Sequence, residues 1–232
     1  LMVNQNVDII DIGGESTRPG AKDVSESDEL ARVIPILKAI KERFDVTVSI
    51  DTSKAGVMSE AITYGADIIN DVRALQNEGC LQTVAQSKSI AICLMHMQGL
   101  PRTMQENPQY DHLVDDITTF FQERVSACQQ AGIDSSRLIL DPGFGFGKSL
   151  EQNYSLLAHM SKFQSLNLPV LAGLSRKSMI GNLLNREVDE RLAGSLATAI
   201  IAAQQGAKII RVHDVRETVD AFKVLQATYK NN

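Results

Sequence analysis

Two stretches of the chain run on one plan: Gly65-Ala66-Asp67-Ile68-Ile69-Asn70-Asp71 and Gly206-Ala207-Lys208-Ile209-Ile210-Arg211-Val212-His213. In each, a glycine follows a helical pattern, as expected of the C′ position, where a left-handed backbone carries no Cβ penalty. Two or three apolar residues then make a short strand, and polar or charged side chains appear where it stops. Extended outward, the pattern predicts seven strands, at 8–13, 46–51, 67–72, 91–96, 138–141, 170–175 and 208–213. Each is short and rich in Val, Ile and Leu, as parallel strands covered on both faces are. Leu30, Val33, Ile34, Leu37 and Ile40 form one helical face between strands, with Pro35 expected to kink it or mark a first turn. Leu113, Val114, Ile117, Phe120, Phe121, Val125 and Cys128 form a second, closed by Gly132, and Leu192, Leu196, Ala199, Ile200 and Ala203 a third, closed by Gly206. Strands alternating with helices, with chemistry at the strand ends, predict an α/β fold of the TIM (β/α)₈ barrel type, its site at the C-terminal face. That barrel needs eight strands, so strand one and most of its helix are expected upstream of Leu1; an open or seven-stranded sheet is the alternative.

The 232 residues are 44% apolar, enough for a sizeable core, and no Pro/Ser-rich linker or low-complexity segment divides them, so one domain over 1–232 is expected. A net charge of −5 argues against nucleic acid or an anionic membrane as partner, and an anionic ligand must be held by a local basic cluster. There is no run of eighteen apolar residues and no signal-peptide pattern. Cys80, Cys93 and Cys128, without C-x-x-C spacing, read as reduced and mostly buried thiols of a cytoplasmic protein.

Asp11-Ile12-Gly13-Gly14-Glu15-Ser16-Thr17-Arg18-Pro19-Gly20-Ala21 follows the first strand. Its glycines and Pro19-Gly20 make turns that hold Ser16, Thr17 and Arg18 over the barrel mouth. Thr17 and Arg18 together suggest an anion clamp, since hydroxyl and guanidinium both donate to phosphate oxygens; an ordinary polar loop is the alternative. Asp51 ends the next strand, where a buried carboxylate costs several kcal/mol unless it is paired. Ser53 reads as a helix N-cap. Asn70 is assigned to ligand and Asp71 to structure, through an ion pair with Arg73. Met95 offers an adaptable apolar surface for a flat ring. Met97 reads as core, and His112 and His159 as surface.

Asp141-Pro142-Gly143-Phe144-Gly145-Phe146-Gly147-Lys148-Ser149 is not a nucleotide P-loop, because Pro142 stands where the first glycine is needed. The alternate glycines instead allow close backbone approach and are expected to expose Phe144 and Phe146. Asp141 can accept two hydrogen bonds from the planar edge of a guanidine-bearing heterocycle, or cap its own loop. Ser175-Arg176-Lys177-Ser178 and Arg211 with His213 place cations at two adjacent strand ends, beside Thr17 and Arg18, in the region where this barrel often holds phosphate. No His/Cys/Asp/Glu set has zinc spacing, and Mg²⁺ held mainly by ligand phosphates stays open.

These segments, in this order, resemble the dihydropteroate synthase family over nearly the entire chain. The resemblance implies that 6-hydroxymethyl-7,8-dihydropterin pyrophosphate and p-aminobenzoate condense to 7,8-dihydropteroate and pyrophosphate, by SN1-like loss of pyrophosphate and attack by the arylamine. It implies that Asp51, Asn70, Asp141 and Lys177 bond the pterin, with Met95 against its ring. Arg18, Arg211 and His213, helped by Thr17, would bind the pyrophosphate or adjoin the aminobenzoate. Thr17, Pro19, Phe146, Lys177 and Ser178 would outline the aminobenzoate pocket, where sulfonamides also bind in this family. Asp51, Lys177, Arg211 and His213 carry catalysis in this reading, Mg²⁺ is the cofactor and a homodimer the assembly. The family's asparagine that contacts metal lies on the first strand and has no counterpart here. The residues agree with the chemistry: no Ser/His/Asp or Cys/His set serves covalent catalysis, whereas fixed positive charge can stabilise a pyrophosphate leaving group. A methyltetrahydrofolate-using methyltransferase barrel with a corrinoid partner would share Asp51, Asn70 and Asp141 but has no need of the Thr17-Arg18-Pro19 and Arg211/His213 groups. A non-catalytic pterin- or phosphate-binding barrel would be favoured by loss of Lys177 or Arg211, and both are present.

Overall fold

Parallel strands form at all seven sites, and their order in space is their order in sequence. In the computed structural model, which describes residues 1–18, 20–99 and 108–230, β1 (Ile9–Gly13), β2 (Thr47–Asp51), β3 (Ile68–Asp71), β4 (Ala91–Met95) and β5 (Leu138–Asp141) make one continuous parallel sheet. β6 (Leu171–Ala172) and β7 (Ile209–Ile210) pair separately, and a Leu140–Val170 bridge joins them to β5. Register aligns the strand ends: Gly13 lies opposite Asp51, Asp51 opposite Asn70, and Met95 opposite Asp141. The last strands are shorter than their apolar runs because Gly173 to Ser175 and Arg211 to His213 leave the ladder and turn onto the rim.

Strand alternation sorts the apolar side chains into two clusters. Ile68, Cys93, Ile139 and Leu171, with Ile9, Ala91 and Ile209 against them, fill the inside of the curved sheet. Ile50, Ile69, Ile92, Leu94, Leu138 and Leu140 point outward into the main core, onto Val33, Leu37, Met58, Ile117, Phe121 and Phe163. Because Ile9 of β1 and Ile209 of β7 share the inner cluster, the first and last strands face one another. No ladder joins them among the described residues; Arg211 Nε reaches Asp11 Oδ2 at 2.7 Å across the gap. The architecture is that of the TIM barrel, with seven strands among the described residues.

The helices are α1 (Glu26–Arg43), α2 (Ala55–Thr63), α3 (Cys80–Gln86), α4 (Leu113–Gln130), α5 (Leu150–Ala158), α6 (Ser178–Leu184), α7 (Leu192–Gln204) and α8 (Val215–Lys230). Ser25 caps α1, accepting from the Asp28 amide, and acidic residues in its first turn with basic ones in its last oppose the helix dipole. Pro35 sits in the middle of α1, not its first turn. It and Ala31, whose carbonyl loses a partner to the missing N–H, are both on the exposed face, where water can take that bond. Gly132 and Gly206 have φ of 82° and 100°, as a C′ glycine requires. All three cysteines are free and buried, and His112 and His159 are exposed.

Candidate active site

Asp51, at the end of β2, is the centre of the rim. Inner-face alternation along β1 puts Asp11 beside it, and Arg211 from beyond β7 lies over both, 2.7 Å from Asp11 and 3.8 Å from Asp51. Burial and the Asp11 carboxylate, opposed by Arg211, push the Asp51 carboxyl up to about 8. Asp11 Oδ1 is buried without a hydrogen-bond partner. Asp11 is therefore a rim residue in its own right. Its sequence signal was period two: it shares a face with Ile9, which packs inside the sheet.

One strand on, Asn70 is 5% exposed and its Oδ1 has no partner, so a buried acceptor stands ready for a ligand donor. Asp71 is structural as expected, but through different bonds. It accepts from the backbone amides of Arg73 and Leu75, each at 2.8 Å, and from the Ser53 hydroxyl. Ser53 thus locks two loops together and does not cap α2, whose N-cap is Lys54.

Asp141 ends β5 buried, with Oδ1 accepting from the Gly143 amide at 2.8 Å; it caps its own loop with one oxygen. Met95, 3% exposed, pairs with it across the ladder. Lys177 is the N-cap residue of α6; its ammonium donates to the Phe144 carbonyl and lies 4.8 Å from the centre of the Phe146 ring. Burial, opposed by Asp141 and reinforced by Arg211, lowers Lys177 to about 8. Phe146 is half-buried at the mouth, but Phe144 is fully buried in the main core, contrary to the sequence expectation. The glycine loop turns it inward because an exposed phenyl would forgo core packing. Met97 is half-buried, not core.

Thr17 is half-buried and Arg18 exposed; Pro19 lies outside the described residues. Thr17 and Asp51 line a cavity of about 260 Å³ that also takes in Glu15, Glu29, Ser53 and Arg73. His213 meets the Ser175 hydroxyl at 3.0 Å through Nδ1, and burial with Arg211, Arg176 and Arg18 nearby lowers its pKa. Thr17, Arg18, Arg211, His213 and Lys177 therefore surround the Asp51–Asp141 side of the rim. Arg176 does not join them: its left-handed backbone (φ 57°) turns the guanidinium onto Asp214 at 2.5 and 2.9 Å. Ser178, the first residue of α6, is exposed beside Lys177.

The family described as pterin binding enzyme matches residues 1–213. The dihydropteroate synthase of Escherichia coli (strain K12) is 57% identical over 228 residues, covering 98% of this chain and 80% of that protein. The chain belongs to the dihydropteroate synthase family. Solved members of the family superpose on it. A Yersinia pestis dihydropteroate synthase in a sulfonamide drug complex gives a TM-score of 0.97 at 54% identity, over 99% of this chain and 83% of that one. A Xanthomonas albilineans dihydropteroate synthase with 4-aminobenzoic acid gives 0.93 at 47% identity, over 98% and 81%.

On this rim the acceptors Asp51, Asn70 and Asp141 and the donors Arg211, Lys177 and His213 stand at neighbouring strand ends. Among the described residues no three His, Cys, Asp or Glu side chains could hold a metal ion. The donor set therefore does not fit a metal held by protein ligands. Two clusters of charged or titratable groups escaped the sequence reading. Lys54 donates to Glu29 and, at 2.5 Å, to Glu15, whose other oxygen accepts from the Val24 amide at 2.8 Å. That tether holds both ends of the Thr17–Arg18 loop. Behind Asp141, Lys148 and His96 are both buried, 3.1 Å apart.

Proposed function

We propose that the rim condenses 6-hydroxymethyl-7,8-dihydropterin pyrophosphate with p-aminobenzoate, giving 7,8-dihydropteroate and pyrophosphate. The observation that carries this reading is the unpartnered, buried Asn70 oxygen, beside Asp51 in the ladder, on a rim where Arg211 lies by Asp51 and both Lys177 and Arg211 act on Asp141. Asp51, Asn70, Asp141 and Lys177 hold the amide and amino edges of the pterin, and Met95 lies against its ring. Arg211, His213, Arg18 and Thr17 receive the pyrophosphate. Cleavage of the methylene C–O bond sends its electron pair onto pyrophosphate, where these fixed positive charges stabilise it without reorganisation. The Asp141 carboxylate, and Asp51 in its ionised form beside Arg211, stabilise the pterin methylene cation. The arylamine nitrogen then forms the C–N bond and releases its proton to solvent. Thr17, Pro19, Phe146, Lys177 and Ser178 form the aminobenzoate pocket and the site for sulfonamides.

Mg²⁺ is assigned to the pyrophosphate, not to a protein cage, and no step is routed through it. A homodimer is the proposed assembly: α6, α7 and α8 and the turns beside them leave Leu183, Leu184, Val188, Ile201, Val224 and Tyr229 exposed. A cytoplasmic location is proposed from the three free thiols; among the described residues no helix is long and apolar enough to cross a membrane. The test is pyrophosphate release from the dihydropterin pyrophosphate with Mg²⁺, with and without p-aminobenzoate. Release that depends on the arylamine is expected. Binding of the pterin without release would overturn the transferase reading in favour of a binding barrel.

A further inference from the structure

The reading of Asp141 as a pterin acceptor leaves its surroundings to explain. The loop from Gly143 to Gly147 has no regular ladder, yet nearly all its carbonyls are held. Lys177 donates to Phe144 O from the mouth side, and the Tyr110 hydroxyl to Gly147 O at 2.8 Å. Lys148, 2% exposed, donates to Gly143 O at 2.9 Å and Phe146 O at 3.0 Å. Its third acceptor is His96 Nδ1 at 3.1 Å, on the loop after β4, 52 residues away. Gly143 packs so closely there that a Cβ would collide with the His96 carbonyl oxygen. A lysine ammonium with three neutral acceptors and no carboxylate in contact is an unusual thing to bury. The charge that answers it is Asp141, which acts on it through space.

Resting on the proposed pterin site, we infer that Lys148 is a positioning residue for Asp141, holding the loop from behind so that Lys177 can leave Phe144 O and turn to the substrate. When Lys177 turns from Phe144 O to a ligand, the loop loses that bond. Lys148 bonds the same loop without facing the mouth, so the Asp141 carboxylate keeps its place when substrate binds. The geometry needs His96 as an acceptor at Nδ1, hence neutral, with its proton on Nε2. Burial and Lys148 itself favour the neutral ring, lowering His96 to about 2, and burial lowers Lys148 to about 7. The charged and titratable groups facing this pair are Asp141 on β5 and Lys177 at the start of α6, with Tyr110 against the His96 ring at 6.0 Å.

The test measures 6-hydroxymethylpterin binding by calorimetry from pH 6 to 9, for the wild-type protein and Lys148→Met. Loss of the ammonium removes one of the charges that hold Asp141 ionised, so Lys148→Met should lose affinity more steeply than the wild type as pH falls, the ratio of the two affinities widening toward pH 6. A purely structural lysine would lower affinity in parallel at every pH, and that result would overturn the inference. Absence of pterin binding by the wild type would remove the functional reading and this inference together. Should Lys148→Met fail to fold, long-range ¹H–¹⁵N NMR on the wild type decides: His96 neutral with Nε2–H from pH 5 to 8 supports the role, and an Nδ1–H tautomer or a titration near 6.5 refutes it.

Discussion

Lys54→Met tests the electrostatics beneath the Thr17–Arg18 loop. Lys54 bonds two carboxylates at once, Glu29 with no exposure and Glu15 with 28% of its side chain exposed. Removing the ammonium leaves Glu15 able to turn to water, but Glu29 is enclosed, and its Oε1 already lacks a partner. Breaking a buried pair in this way costs about 3–5 kcal/mol. Protonation sets a ceiling: taking a carboxyl of ordinary pKa about 4.3 to its neutral form at pH 7 costs about 1.36 kcal/mol per unit, or about 3.7 kcal/mol. The sign follows from linkage. In the variant, folding must bury a carboxyl without its counter-charge, so the folded state is the one that binds the extra proton. The penalty grows as pH rises above about 4.3 and falls to about 1.6 kcal/mol at pH 5.5. Urea unfolding of both proteins at pH 7.0 and 5.5 measures it, and Glu29→Gln in the Lys54→Met background should recover most of the loss at pH 7. A destabilisation equal at both pH values, or below 1 kcal/mol at pH 7, would refute the argument.

Lys177→Ala and Arg211→Ala should each cut turnover by about 10²-fold or more, as loss of a transition-state donor does, while thermal midpoints stay near wild type; normal turnover in both would sink the site. His96 has a folded pKa near 2 against about 6.5 unfolded, so between those values the unfolded state binds one more proton and stability is lost on acidification. His96→Gln should flatten the acid limb of a stability–pH curve by up to about 1.4 kcal/mol per pH unit below pH 6.5, and an unchanged slope would show that His96 is not the group responsible. Gly143→Ala combines a φ of 69° with a collision against the His96 carbonyl, so it should cost at least about 2 kcal/mol in denaturant unfolding and weaken pterin binding together.

Local rules carried the chain a long way. Short Val/Ile/Leu runs after C′ glycines are read within ten residues, and all seven formed strands, with Asp51, Asn70, Met95, Asp141 and Arg211 at or next to their ends. A polar residue at the end of a strand buried on both faces is legible because burial forbids it without a reason. The inward turn of Phe144, the two hydrogen bonds that Asp71 accepts from the Arg73 and Leu75 amides, and the diversion of Arg176 to Asp214 were not legible in this way. Each depends on which backbone conformation a loop takes, and several conformations fit the same residues.

The sequence alone determined the barrel class, the rim as the place of chemistry, and the family, because those rest on period, glycine placement and ordered motifs. Only the tertiary structure decided how the charges are shared. Asp11 meets Arg211 across 200 residues, Lys148 meets His96 across 52, and Lys54 meets Glu15 and Glu29 across 39 and 25. Charge energies depend on distance and burial, and neither is written in a linear spacing until the strands have curved around the site.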